Sequence, residues 1–485
     1  MTATPKKQVL IVGLVAPSGT NIKLFKNKLS TLLADNYDVT AHQIKLTNLI
    51  ENEYADQVKS AAFNDLPQCD QVDKKITLGN KIREVTQDNS IFAKFALHEI
   101  LECYKKISIS GSDRHVIIID QFKRPEEVRY LENIFGHSFW LVALESTPRE
   151  RSEYLTSGDS TLVDKARALT KRDENEGQDW GQKMRETYLM AHSIFSAHIQ
   201  DEPVLRFFDL IFKSHLITPN PDEYFMNMAF SSSLKTGDLS RQVGAVLVTK
   251  KLDQFSCGAN EVNKFGGGSY WPDGQPHRDL EKEEDANKIR LDDLRKDIAE
   301  KIEAKLPDTL GKIMPILEKT KIADITEYQR ATHAEMDAIL SAARLGISTR
   351  GATLYCTTFP CHNCAKHIVS CGIDRVIFLE PYPKSFSIDL HSDAISITGE
   401  AEKVSMSEFT GITHVRFRDL FSMVYSTGEK IKRKDDYGKV LPFDRKTTDL
   451  KFPFWEESID VGRKIVLKTF TPEAKLLEST KEKTG

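Results

Sequence analysis

His333-Ala334-Glu335-Met336, followed further on by Pro360-Cys361-His362-Asn363-Cys364, is the stretch on which the reading of this chain turns. One imidazole (His333) and two thiolates (Cys361, Cys364) supply three ligands for a zinc ion. That leaves the fourth tetrahedral position for a water that the metal can acidify. Glu335, two residues from His333, is placed to handle the proton of that water. Met336, Ile339, Leu340, Ala343 and Leu345 recur at roughly helical spacing, which predicts an amphipathic helix opened by His333 and Glu335. Thr353–Phe359 reads as a strand, and Pro360 suits the first turn of the helix after it. Cys361 and Cys364 then share one face of a helix N-terminus, where backbone N–H groups favour thiolate over thiol. Two helix starts meeting across a sheet would bring the three ligands to one point.

Taken singly, a CxxC pair also fits a redox site. A closed zinc site with a fourth protein ligand from Cys356, His362, His367 or Cys371 is a further reading, but an adjacent acid such as Glu335 has no purpose there. The parts in this order are the zinc nucleobase deaminase signature. Ser240–Val248, Gly258-Ala259-Asn260-Glu261, His333–Met336 and Pro360–Cys364 run in the same order as in the deoxycytidylate deaminases, which the chain resembles over about residues 222–420. The resemblance implies a cytidine-deaminase-type α/β/α fold with the first two motifs on adjacent strands. It implies that Asn260 meets the sugar hydroxyl, with Arg241 a further substrate-binding candidate.

The chain has 485 residues and a net charge of −4, with seven cysteines. This length predicts two or three domains. The charge gives no electrostatic footprint for a nucleic-acid polymer. An odd cysteine count with two assigned to zinc points to a reducing compartment. The first apolar stretch, Val9–Leu14, is far too short for a signal segment or a membrane span. The expectation is a cytoplasmic protein without a membrane partner.

Val9–Val12 reads as a buried parallel strand, and Gly13–Asn21 as a glycine-bearing turn into the helix Ile22–Leu33. Such turns cradle phosphates on backbone amides. The spelling departs from a P-loop, since Thr20 stands where lysine is expected and Asn21 where a magnesium-binding hydroxyl belongs. Gly13, Gly19, Thr20 and Asn21 are therefore candidates for binding a nucleotide without phosphoryl transfer, or for a purely structural turn. His115–Asp120 and Phe139–Leu144 are two more buried strands, the first ending in the Walker-B-like acid Asp120. Together they predict a doubly wound α/β, P-loop-like domain over 1–215. Pro148–Arg151 and Lys171–Glu174 resemble the basic lid elements of nucleoside monophosphate kinases; solvated helix faces laced with ion pairs would read the same way.

Thr218–Asp222 marks a boundary, with Phe207–Phe212 before it as a last strand or a packing face. The second domain is expected over 222–425, with an insertion at 264–328. Within it, Asp279–Leu306 reads as a helix with a narrow apolar stripe of Ile289, Leu291, Leu294, Ile298 and Ile302, a lid, an oligomer contact or a solvated excursion. After the strand Arg375–Leu379, Tyr382 is a candidate to stack on a base and Lys384 to meet a phosphate. Residues 426–485 form a C-terminal extension with Trp455 and Phe470 as apolar anchors.

The whole arrangement resembles the bacterial antiphage deoxycytidine nucleotide deaminases, in which a degenerate P-loop kinase-like domain precedes a deaminase domain. The resemblance implies zinc, free dCMP or dCTP as substrate, a homo-oligomer, and restraint by an inhibitory RNA or protein partner. A polynucleotide deaminase would share the zinc site but needs a basic, aromatic-lined groove. A nucleotide-sensing protein with a dormant deaminase domain is the non-enzyme alternative.

Overall fold

The computed structural model describes residues 7–108, 113–307, 309–382, 385–424, 428 and 430–452. The chain divides into two compact units, one comprising residues up to Thr218 together with the chain from Thr410, the other Pro219–Phe409. The expected break near 215–222 falls on this division. The expected end of the second domain at 425 does not, because Gly411–Ile412 pairs antiparallel with Ser193–Ile194 and adds an edge to the first unit's sheet. Leu450 and Phe452 also join the first unit's core, so at least the start of the expected C-terminal extension belongs there. Trp455 and Phe470 lie outside the described residues.

In the first unit, strands β1 (Gln8–Val15), β2 (Thr40–Lys45), β3 (Arg114–Phe122), β4 (Phe139–Glu145) and β5 (Ser193–Ser196) run parallel, with the Gly411–Ile412 strand at one edge. Their order across the sheet is Gly411–Ile412, β5, β4, β1, β3, β2. The central strands are apolar and nearly fully buried, as strands covered on both faces must be. Gly13 sits inside β1, not in the turn after it. A Cβ there would lie 2.6 Å from the Phe122 ring and 2.9 Å from the Phe139 ring, so this glycine makes room for aromatic packing.

Phe207–Phe212 is not a strand. Asp201–Ile211 is a helix whose face Val204, Phe207, Phe208 and Ile211 is buried against the core containing Trp140. Three and four residues apart, these side chains fall on one helical stripe, and runs this short look alike in sequence.

In the second unit, β6 (Gly244–Val248) and β7 (Gln254–Ala259) pair antiparallel. A short ribbon of β8 (Glu261–Val262) and β9 (Ala331–Thr332) precedes β10 (Thr353–Thr358) and β11 (Arg375–Glu380), with β12 (Ile395–Ser396) and β13 (Val404–Glu408) at the far edge. The main sheet order is β12, β13, β11, β10, β6, β7. The pairing of β10 with β11 is parallel and that of β10 with β6 antiparallel. The helix Ala334–Leu345 packs on β7 through Ala334, Ala338 and Ala342, all fully buried. The face expected from the sequence is partly outside, since Leu340 and Leu345 are exposed. Backbone proximity explains the exchange: a Cβ on Gly258 would stand 2.2 Å from the Ala334 carbonyl oxygen, so only small side chains fit this seam.

The expected helix Asp279–Leu306 of the insertion is two helices, Asp279–Lys282 and Ala286–Glu303, broken at Glu283, whose φ is +55°, and a further helix, Leu310–Leu317, follows. The buried stripe of Ala286–Glu303 is Leu291, Arg295 and Ala299, whereas Ile289 is exposed. Among the described residues, no helix is long and apolar enough to cross a membrane.

Candidate metal centre and active site

His333 is the N-cap of the helix Ala334–Leu345, and Cys361 is the N-cap of the helix His362–Ser370, with Cys364 in its first turn. These two helix starts meet. The Sγ of Cys361 and the Sγ of Cys364 stand 3.3 Å and 3.4 Å from His333 Nδ1. All three ligand atoms lie within 4.8 Å of one another. A nitrogen and two sulfurs at this spacing match the donor set zinc prefers. Among the described residues the cluster is these three alone; Cys356, His362, His367 and Cys371 do not join it.

The three ligand side chains shift one another's protonation, and hydrogen bonding to Cys361 together with burial raises the Cys364 thiol well above its usual range. Hydrogen bonding to Cys364, with help from His333, holds the Cys361 thiol down at about 3, despite burial. Burial alone would lower His333, but the hydrogen bond to Cys361 and the Glu335 charge carry it up to about 9. Glu335, 4% exposed, is pushed up, chiefly by burial. A carboxyl held in this way can take and return a proton.

Several residues outside the motifs position the ligands. Gln329 Oε1 lies 2.8 Å from His333 Nε2, so the imidazole is tied on the side away from the sulfurs. The hydroxyls of Ser385 and Ser387 donate to the Pro360 carbonyl at 2.8 Å and 2.7 Å and fix the loop ahead of Cys361. Asp337 accepts from the Ala259 N–H at 3.2 Å and ties the catalytic helix to the end of β7. No spelling in the sequence marks Gln329 or the two serines, because their roles come from proximity across loops.

Asn260 is buried at the end of β7, and its Oδ1 accepts from the Ala334 N–H at 3.0 Å. Its Nδ2 reaches the Arg241 carbonyl at 3.5 Å, and the Arg241 guanidinium stacks 4.4 Å from the Tyr382 ring centroid. Asn260, Arg241 and Tyr382 are thus linked in a chain that ends at the start of the catalytic helix. Lys384 lies outside the described residues. A cavity of about 300 Å³ opens beside His333, lined by Gln329, Arg330, Met336, Asn363 and His367 among others.

The first unit's candidates behave differently. Gly19 is in the turn with φ +94°, and Thr20 is buried there. Asn21 is the N-cap of the helix Ile22–Tyr37, its side chain accepting from the Leu24 N–H at 3.1 Å. Asp120 pairs with the buried Lys26 at 2.8 Å. Of the basic elements, Arg149 pairs with Glu153 and Arg172 with Asp73 and Glu176.

A family model matches residues 219–380, and its description is "Cytidine and deoxycytidylate deaminase zinc-binding region". The chain carries a zinc-binding deaminase region. The deoxycytidylate deaminase of Enterobacteria phage T4 is 51% identical over 53 residues, 11% of this chain and 28% of that protein. The chain thus spans little more than a quarter of that relative's length. The human deoxycytidylate deaminase is 29% identical over 157 residues, 32% of this chain and 63% of that protein. Among solved structures, the dCMP deaminase from the cyanophage S-TIM5 is 16% identical, with 40% of this chain and 100% of that chain covered and a TM-score of 0.23. The matched region, 219–380, lies within the unit Pro219–Phe409 that holds His333, Cys361, Cys364 and Glu335.

Proposed function

We propose that this chain deaminates free deoxycytidine nucleotides, dCMP or dCTP, to the corresponding deoxyuridine nucleotides. The observation that carries the reading is the His333, Cys361 and Cys364 donor triad with the buried carboxyl of Glu335 beside it. Zinc, held by those three residues, supplies Lewis acidity that makes water a nucleophile at neutral pH. Glu335 would take the proton from the attacking water and deliver it to N3 of the base. It would then take the remaining proton of the oxygen added at C4 and hand it to the amine, so that the C4–N bond breaks as C4=O forms and ammonia leaves. Asn260 would bind the sugar hydroxyl, and Tyr382 with Arg241 would face the base and the phosphate. The names of the phage and human relatives support a deoxycytidine nucleotide over cytidine in a polymer, and so does the acidic balance of the chain.

The further expectations rest on the resemblance of the two-part arrangement to bacterial antiphage deaminases. They are a first unit of P-loop-like ancestry that binds a nucleotide or serves as scaffold, a homo-oligomer, restraint by an RNA or protein partner, and depletion of deoxycytidine nucleotides during infection. The test is to incubate the zinc-loaded chain with dCMP, dCTP and a cytosine-containing oligonucleotide and follow ammonia. Release from the free nucleotides alone is expected, and Cys361→Ala should abolish both zinc and release. Release from the oligonucleotide alone would make it a polynucleotide deaminase, and release from none a dormant domain.

A further inference from the structure

The first unit contains a cavity of about 330 Å³ beside the turn Pro17–Thr20, within the size range of small-molecule sites, roughly 300–1,000 Å³. Buried polar atoms without a hydrogen-bond partner concentrate on its lining: Thr20 Oγ1, Thr47 Oγ1, Asp120 Oδ1, Gln182 Oε1 and Arg83 Nε. Thr20, Gln182 and Arg83 are 7%, 4% and 3% exposed. Buried polar atoms in native proteins are almost always satisfied, so a group of orphans around one space points to a ligand that meets them. Four of the five are oxygens able to accept, which calls for a ligand bearing O–H or N–H groups. Ile50, Ile76 and Phe92 add apolar lining, with the Arg83 guanidinium 4.8 Å from the Phe92 ring centroid, and Gly79 contributes no side chain. A flat heterocycle fits such a lining.

Most of the charges around the cavity are paired, although Lys45 and Lys75 share one carboxylate and the exposed Lys23 also lines it. Lys45 and Lys75 pair with Glu51, Arg83 with Glu127, and Lys26 with Asp120. The anion seat of the turn is filled from within: fully buried Asp173 accepts from the Ser18 N–H at 2.7 Å and from Lys123 Nζ at 2.7 Å and 2.9 Å. Backbone amide and lysine are the groups that would otherwise hold a phosphate. Gly19 is closed off as well, since a Cβ there would meet the Arg151 carbonyl at 2.6 Å.

We propose that this cavity binds an uncharged nucleoside, with the Asp173 carboxylate standing where the phosphate of a nucleotide would be held. Base and sugar donors meet Thr20, Asp120 and Gln182, and the ring lies against Phe92. A triphosphate would have to displace Asp173 from Lys123 and leave a buried carboxylate unpaired, which is costly. The inference is independent of the deaminase reading, because it concerns the other unit and a different ligand, and it puts a nucleoside in place of the nucleotide that the resemblance implies for that unit.

The test uses the zinc-loaded full chain and titration calorimetry with thymidine, deoxyguanosine and deoxyadenosine, none of which carries a cytosine, against their triphosphates. At least one nucleoside should bind saturably, and its triphosphate about tenfold or more weaker, equivalent to losing one charged hydrogen bond. Thr20→Val and Gln182→Leu should each weaken the nucleoside about five- to tenfold with zinc content unchanged. Asp173→Asn should narrow the gap between nucleoside and triphosphate. The wild-type comparison needs no variant to fold. A triphosphate binding as tightly as its nucleoside, no nucleoside binding at all, or binding indifferent to both Thr20→Val and Gln182→Leu would each overturn the proposal.

Discussion

Gln329 Oε1 stands 2.8 Å from His333 Nε2, on the side of the imidazole away from the two cysteine sulfurs. The amide oxygen can only accept, so it fixes the proton on Nε2 and leaves Nδ1 with its lone pair toward Cys361 and Cys364. Gln329→Leu should therefore weaken zinc binding by about 10- to 100-fold while the fold persists. Competition with a chromogenic chelator measures this directly. Unchanged affinity would mean that the helix start alone orients His333.

On the proposed role of the Glu335 carboxyl as a proton carrier and not a ligand, Glu335→Ala should keep zinc and melting temperature and lose at least about 100-fold in turnover. Metal content and ammonia release on the same preparation separate the two roles. Near-normal turnover would assign the proton transfers to another group.

The metal centre was legible in the sequence because its parts are local: HAE and PCxxC each sit at a helix start, and the strand ahead of the cysteines is spelled out by Thr353–Phe359. What escaped notice is non-local. Gln329, Ser385 and Ser387 act through loops that only the fold brings to His333 and Pro360. Gly13 reads as a turn glycine because strand and turn run together in sequence; only the partners Phe122 and Phe139, far along the chain, reveal its packing role. Phe207–Phe212 suits a strand or a helix equally by periodicity, and burial on one stripe decides for helix. The return of the chain from Thr410 to the first sheet has no local signal, because a two-residue edge strand carries no pattern.

The first unit should be acid-sensitive for a reason separable from its carboxylates. Burial lowers His42, His137, His192 and His414, the last to about 4 from 6.5. Below pH 6.5 the unfolded chain takes up protons on these groups that the folded unit refuses. Stability is thus full above 6.5, falls as the pH drops, and for His414 stops falling below about 4. Melting temperature measured from pH 7 to 4 should decline, and His414→Gln should flatten the decline. An identical slope in wild type and variant would remove His414 from the account.

Gly258 joins the packing of the second unit to its metal chemistry. A Cβ at this position would lie 2.2 Å from the Ala334 carbonyl oxygen and 2.4 Å from the Ala338 nitrogen. Both atoms are helix backbone, which cannot rotate aside as a side chain can, so β7 and the helix Ala334–Leu345 must move apart. His333 caps that helix and Asn260 directly follows that strand, so the same displacement shifts a ligand and loosens the 3.0 Å bond between Asn260 and the Ala334 N–H. Gly258→Ala should destabilise the unit by about 1–3 kcal/mol, the usual cost of overpacking, and weaken zinc binding with it. Gly311→Ala is the control, because a Cβ there meets nothing within 4 Å and its helix, Leu310–Leu317, gains a better former. Denaturant titrations with zinc content measured in parallel decide the matter: if Gly258→Ala unfolds at the same midpoint as Gly311→Ala, the seam between β7 and the helix does not set the position of His333.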